Sequence, residues 1–284
     1  MKLLYMNFEK IDFESLYIDI YKLDEGIYAS IFNQEMGPSS NAGFFDLGNI
    51  TIIFDTLMDP FSTQDFIRAI KEITNKKPFL LINSHWHIDH IFGNHLFPDS
   101  MPIMSSFGMF NQFQKSLPER LNSFKERAST ELKNTKELLK KEKDPNKIIE
   151  YKNDLVTYKK IQEPNFSLRP PDLLLSSKMK INGTERSVEI INVGNAHSYD
   201  DIIAYFPKER ICFMGDLLFS NLDPEWAKGI NGIPWAADPV NFKDILESYL
   251  EKDIKVFVPG HGTLCTEKEI KNSIDFLDKY FLKN

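Results

Sequence analysis

Short runs rich in β-branched and aromatic residues recur along the first part of the chain: Leu16 to Leu23, Ile27 to Phe32, Gly43 to Leu47 and Thr51 to Phe54. Turn formers separate them at Asp24-Glu25-Gly26, at Gly37-Pro38-Ser39-Ser40 and at Gly48-Asn49, so they predict antiparallel strands. The period then changes. Phe66, Ile67, Ile70 and Ile73 share one helical stripe, which predicts a helix over about Thr63 to Thr74 capped by Ser62. Pro78 to Asn83 is again a short apolar run ending in a turn former, the pattern of a buried strand, and Met101 to Met104 predicts another.

From about Phe107 to Phe166 the texture differs. Leu117, Leu121, Phe124, Ala128, Leu132, Thr135 and Leu139 follow a 4,3 spacing. Asp144-Pro145 supplies an N-cap and a first-turn proline, and Ile148, Tyr151, Leu155 and Tyr158 resume the stripe. The segment 107–166 predicts a helical hairpin inserted between strands. Its apolar stripes need a surface to cover, which suits a lid or wall of a cleft, or the contact of a homodimer. Strands return at Leu173 to Leu175, Met179 to Ile181, Val188 to Asn192, Ile202 to Phe206 and Ile211 to Met214. A long irregular stretch, Leu217 to Asn241, then precedes a helix over about Val240 to Glu251, a strand at Lys255 to Val258 and a closing helix at about Glu267 to Phe281.

Candidate chemistry concentrates directly after the Pro78–Asn83 run. Ser84-His85-Trp86-His87-Ile88-Asp89-His90 holds three histidines and a carboxylate, the donors that zinc and other borderline divalent metals prefer. In extended backbone His85 and His87 leave the same face, while Asp89 and His90, adjacent and diverging, reach elsewhere. The spacing suggests two metals. His95, further on, reads as a loop or packing residue.

Five segments in order carry a resemblance: Ile53-Phe54-Asp55-Thr56, the His85–His90 motif, Gly194-Asn195-Ala196-His197-Ser198, Met214-Gly215-Asp216 and Val258-Pro259-Gly260-His261-Gly262. From about Gly26 to about Gly262 the chain resembles the metallo-β-lactamase-fold superfamily of metal-dependent hydrolases. The resemblance implies an α/β fold, an αββα sandwich of two mixed β-sheets flanked by helices, formed as one domain over residues 1–284 with the hairpin inserted. It implies two zinc ions, with iron or manganese also compatible. His85, His87 and His197 would hold the first and Asp89, His90 and His261 the second, with Asp216 bridging them. Asp55, and Asp200 or Asp201, would support the ligands from behind. Trp86, Trp226 and Trp235 are candidates for the substrate pocket, with core packing as the competing role of the loop tryptophans.

The same resemblance implies a metal-bridging hydroxide as nucleophile, with Asp89 orienting it or shuttling its proton, acting on an ester, thioester, lactone or lactam bond of a small molecule. Aspartate at 216 is the residue of glyoxalase II-like hydrolases, lactonases and phosphodiesterases, where the antibiotic-hydrolysing subgroup often has cysteine. A phosphodiesterase or nuclease is the nearest alternative. An iron-dependent oxidoreductase is another, although di-iron members usually carry glutamate in the first motif, where this chain has Trp86 and Ile88.

Composition narrows the partners. The net charge of −7 argues against a polyanionic partner such as nucleic acid. The lysines between Lys133 and Lys160 alternate with Glu137, Glu142, Asp144, Glu150 and Asp154, as on a solvated helix surface. Cys212 and Cys265 are the two cysteines, too few for a disulfide framework. Met1 to Lys10 lacks the pattern of a signal peptide and no apolar run approaches a membrane span, so the expected compartment is the cytoplasm.

Overall fold

The turn Asp24-Glu25-Gly26 folds the strand β2 (Ile18–Asp24) back on β3 (Ile27–Phe32), so that Ile20 faces Ser30 and Tyr21 faces Ala29. In the computed structural model, which describes residues 8–37, 39–115, 117–229 and 233–282, this hairpin is the start of an eight-stranded sheet. The short β1 (Glu9–Lys10) pairs on its outer side. On the other side follow β4 (Ala42–Asp46) and β5 (Thr51–Phe54), antiparallel. Beyond β5 the sheet turns parallel, through β6 (Leu80–Ile82), β7 (Ile103–Ser106) and β8 (Leu173–Leu175). Pro38 and the residues of the N-terminal segment before Phe8, both part of the sequence expectations, lie outside the described residues.

The second sheet has five strands: β9 (Lys178–Asn182), β10 (Ser187–Gly194), β11 (Asp201–Phe206), β12 (Ile211–Phe219) and β13 (Val256–His261). All pairs are antiparallel except β12 with β13, so both sheets are mixed. Between them lies a core in which Phe45 meets Phe206 and Phe213 edge-on, each at 4.8 Å between ring centres. The helix α1 (Pro60–Thr74) covers the outer face of the first sheet with Phe66, Ala69 and Ile70. The helices α6 (Pro239–Leu250) and α7 (Glu267–Tyr280) cover the second. The order of layers is helix, sheet, sheet, helix, as expected.

Three local expectations are corrected. Helix α1 begins earlier than Thr63: Asp59, not Ser62, caps it, its carboxylate accepting from Ser62 N at 2.8 Å. Pro60 opens the helix because its missing N–H needs no partner in the first turn. The strand expected at Met101 to Met104 starts at Ile103 and runs to Ser106, in register with Leu81 and Ile82. The inserted segment has three helices rather than two: α3 (Phe107–Lys115) precedes α4 (Leu117–Leu139) and α5 (Pro145–Ile161).

The insertion leaves the first sheet after β7 and returns at β8. Met109 and Phe113 of α3, Ala128 of α4 and Ile161 of α5 pack with Trp86, Ile91 and Phe92 from the histidine segment. The hairpin thus spends much of its apolar stripe against the back of that segment, and among the described residues of α4 and α5 Leu138 is the large apolar side chain left exposed. His95 stacks edge-on with Phe92 and Phe166, and its Nδ1 lies 2.6 Å from Phe92 O, which makes it a packing residue. No helix among the described residues is long and apolar enough to cross a membrane.

Candidate metal centre

Strand β6 ends at Ile82, and the chain then carries four donors in one loop and one helical turn. His85 and His87 lie before α2 (Ile88–Ile91), while Asp89 and His90 lie within it. That single turn is what separates the adjacent Asp89 and His90: successive side chains of a helix diverge by about 100°. Strand β12 brings Asp216, β13 ends at His261, and the loop after β10 supplies His197. All seven side chains meet at one end of the sandwich, in two groups. His85, His87, His197 and Asp216 form one, and Asp89, His90 and His261 the other, the donor atoms of each lying within 4.8 Å of one another.

Asp216 faces both groups. Its Oδ2 lies 3.3 Å from His197 Nε2 and 3.7 Å from His85 Nε2, and its Oδ1 lies 2.9 Å from His90 Nε2 and 3.4 Å from His261 Nε2. His197 Nε2 approaches His87 Nδ1 at 3.1 Å, and His261 Nε2 approaches Asp89 Oδ2 at 3.1 Å. Four ligands at about 2.1 Å from a zinc ion in a tetrahedron stand ~3.4 Å apart, so these spacings suit a metal at the centre of each group. His85 Nε2 is buried without a hydrogen-bond partner, and His90 Nε2 and Asp216 Oδ1, although 2.9 Å apart, are buried without a well-aligned one. Buried polar atoms are rarely left so, and a cation at each group would satisfy them. The residues present fit a divalent metal.

Glycine makes room for Asp216. Gly215 has φ of +53°, and a Cβ there would stand 2.8 Å from the Ser84 side chain, while a Cβ at Gly260 would overlap Asp216 Oδ1.

Support comes from behind each ring. Asp55 sits at φ of +61° just after β5 and is buried. Its Oδ1 accepts from Ser84 N at 2.6 Å, and its Oδ2 accepts from Ser84 Oγ at 2.6 Å and lies 2.9 Å from His90 Nδ1. Ser84 Oγ in turn lies 2.9 Å from His85 Nδ1. With Oγ donating to Asp55 it accepts from His85 Nδ1, which leaves the His85 Nε2 lone pair directed into the site. Sequence reading missed Ser84; its one signal is a hydroxyl immediately before the first histidine.

Asp201 braces the His197 loop rather than the His197 ring, accepting from Ser198 N at 2.9 Å and from Ser198 Oγ at 2.7 Å. The His197 ring is held by edge-on packing against Trp235, 6.1 Å between centres. Asp200 points away and accepts from Gly108 N of α3 at 2.7 Å. His261 stacks flat on Phe219 at 5.3 Å, and its Nδ1 lies 3.1 Å from Ser39 O.

The three tryptophans take packing positions. Trp86 and Trp235 are buried, Trp86 in the cluster under the insertion and Trp235 among Phe242, Phe276 and Phe281, so neither forms a pocket wall. Trp226 is partly buried against Phe219. Two of the three pocket candidates are thereby corrected: an apolar ring beside a metal loop lowers its free energy most by leaving water for the core.

Charge is divided across the centre. Burial and the neighbouring imidazoles hold His85 well below the usual histidine range, and burial, then His197, holds His87 down to about 3. Burial opposes charge on His90 and His261 too, but the facing carboxylates outweigh it and push His261 up to about 10 and His90 well above its usual range. Burial would raise Asp89, yet His90 and His261 hold it down to about 2. The carboxylates demand positive charge between the two groups, and a metal ion meets the same demand.

Comparison with known proteins agrees with this reading of the fold. The sequence matches the family described as Metallo-beta-lactamase superfamily over residues 37–103 and 129–261, and the chain belongs to that superfamily. The unmatched stretch between these spans falls on α3 and the first half of α4. The metallo-beta-lactamase from Pontibacter korlensis is similar with a TM-score of 0.59 and 15% identity, over 95% of this chain and 99% of that one. The metallo-beta-lactamase FIM-1 from Pseudomonas aeruginosa, solved in a mono-zinc form, is similar with a TM-score of 0.60 and 15% identity, over 93% and 96%. The DIM-1 metallo-beta-lactamase gives 0.60 and 18%, over 94% and 99%. No curated protein matches the chain.

Proposed function

We propose that the chain, a metal-dependent hydrolase by family, acts on an ester, thioester, lactone or lactam bond of a small molecule with two zinc ions. His85, His87 and His197 would hold one ion and Asp89, His90 and His261 the other. The observation that carries the reading is Asp216, which presents one oxygen to each group. Residues 1–284 act in this reading as one domain, with the helical segment 107–166 bordering the cleft.

A zinc pair, when bound, supplies an activated water near neutral pH and polarises the scissile carbonyl. The rest of the work falls to side chains. Ser84 and Asp55 fix the tautomers of His85 and His90, so that neutral ring nitrogens are presented to the ions. Asp89, held ionised by His90 and His261, would orient the activated water and could carry its proton at the carboxylate to the leaving group. Buried surroundings strengthen each of these interactions by excluding water.

A mono-zinc form is described for FIM-1, so stoichiometry has to be measured. Elemental analysis of the untagged protein, beside Asp216→Ala and His85→Ala, is run with ester, thioester, lactone, lactam and phosphodiester substrates on the same samples. Two zinc ions per chain, lost in the variants with one hydrolytic activity, are expected. Iron without hydrolysis, or no metal in any preparation, overturns the proposal.

A further inference from the structure

Three consecutive residues just before β4 touch the carriers of the second donor group and make no hydrogen bond to His85, His87 or His197. Asn41 is 3% exposed and uses its whole side-chain amide. Its Oδ1 accepts from Phe32 N at 3.0 Å, and its Nδ2 donates to Pro259 O at 3.0 Å and to Gly262 O at 2.9 Å. Its backbone N–H donates to Gly260 O at 2.7 Å. The turn that carries His261 is therefore wrapped around one amide. Ser39 O faces His261 Nδ1 at 3.1 Å, and Ser40 Oγ donates to Asp89 O at 2.5 Å. The first group has different supports: Ser84 for His85, and aromatic packing for His197.

We propose that Asn41, with Ser39 and Ser40, is the positioning clamp of the second metal: it sets the separation of His261 from Asp89, and so the affinity for that ion, without touching the histidines of the first. The inference rests on the two-metal reading above. Asn41 touches none of the donor atoms, so it works through the backbone of residues 259–262. Only an amide can do this at that place, since two carbonyl oxygens need two donors while Phe32 N needs an acceptor. A carboxylate of the same shape would set oxygen against oxygen.

Asn41→Asp tests the clamp with almost no change of volume, and Ser40→Ala removes the hydroxyl that donates to Asp89 O and Thr56 O. Protein stripped of metal by a chelator is titrated with zinc and with cobalt(II), reading the number of ions, the affinity of each and the cobalt absorption spectrum. In Asn41→Asp the first ion keeps the wild-type affinity and spectrum while the second binds ~10–100-fold more weakly, the usual size of an effect on a ligand's support. Ser40→Ala shifts the same ion by less, and it carries the test alone if Asn41→Asp does not fold. Equal weakening of both ions, or wild-type affinity for both in the variants, overturns the clamp. Wild-type protein that takes up only one ion overturns the two-metal reading and the clamp with it, a result visible before any variant is made.

Discussion

Asp55 ties the two halves of the centre together because its Oδ1 accepts from Ser84 N while its Oδ2 faces both Ser84 Oγ and His90 Nδ1. Asparagine tolerates the left-handed backbone that Asp55 adopts, so Asp55→Asn should fold. An amide cannot accept at both ends, however, and either Ser84 N, or Ser84 Oγ together with His90 Nδ1, loses its acceptor. The expected result is a ~10–100-fold loss of metal affinity and of hydrolytic rate, read by metal titration and a substrate assay, with circular dichroism unchanged. At this scale the candidate donors that the fold brings together were legible, since three histidines and a carboxylate cluster within one short motif. Asp201 was also legible, but its partner is Ser198 and not the His197 ring. Ser84 and Asn41 were not, because a serine and an asparagine acquire their roles only from Asp55, twenty-nine residues from Ser84, and from a turn on the opposite sheet.

Helices α3 to α5 are attached to the centre by side chains from elsewhere in the chain. Asp200, in the loop that carries His197, accepts from Gly108 N in the first turn of α3. Asp200→Ala should cost about 1 kcal/mol, as loss of a helix cap usually does, and Asp200→Asn much less; urea denaturation checks both. On the other side of the insertion, burial and then Glu150, Asp59 and Glu131 raise the Asp154 carboxyl to about 6. A carboxyl whose folded pKa lies above its unfolded one stabilises the fold below about 4 relative to neutral pH, and that stability is lost as pH rises through 6. Asp154→Asn should therefore raise the melting temperature at pH 7, by the equivalent of roughly 1 kcal/mol after allowance for solvent screening, with a gain that shrinks as pH falls from 6 to 4. The periods of α4 and α5 were legible in the 4,3 spacing. That of α3 was not, because its buried face is only Met109 and Phe113 and its first-turn acceptor lies ninety-two residues away.

Across the whole molecule, the two sheets share one aromatic core and the candidate metal centre lies beside it, so metal binding there would be linked to folding. A ligand at 100 times its dissociation constant adds about 2.7 kcal/mol to the folded state. Chelation should then lower the melting temperature by ~5–10 °C for a chain of this size, and restoring zinc should reverse the change; calorimetry with and without chelator decides it. The sequence by itself determined the class of the fold, most strands and long helices, and the candidate donors of the His85–His90 motif, because hydrophobic period and clustered ligands are local properties of a chain. Tertiary structure alone decided that Trp86 and Trp235 are core residues and that Asn41 grips the His261 turn. Each of these depends on which distant surfaces pack together, and packing is a property of the folded molecule that no window of sequence contains.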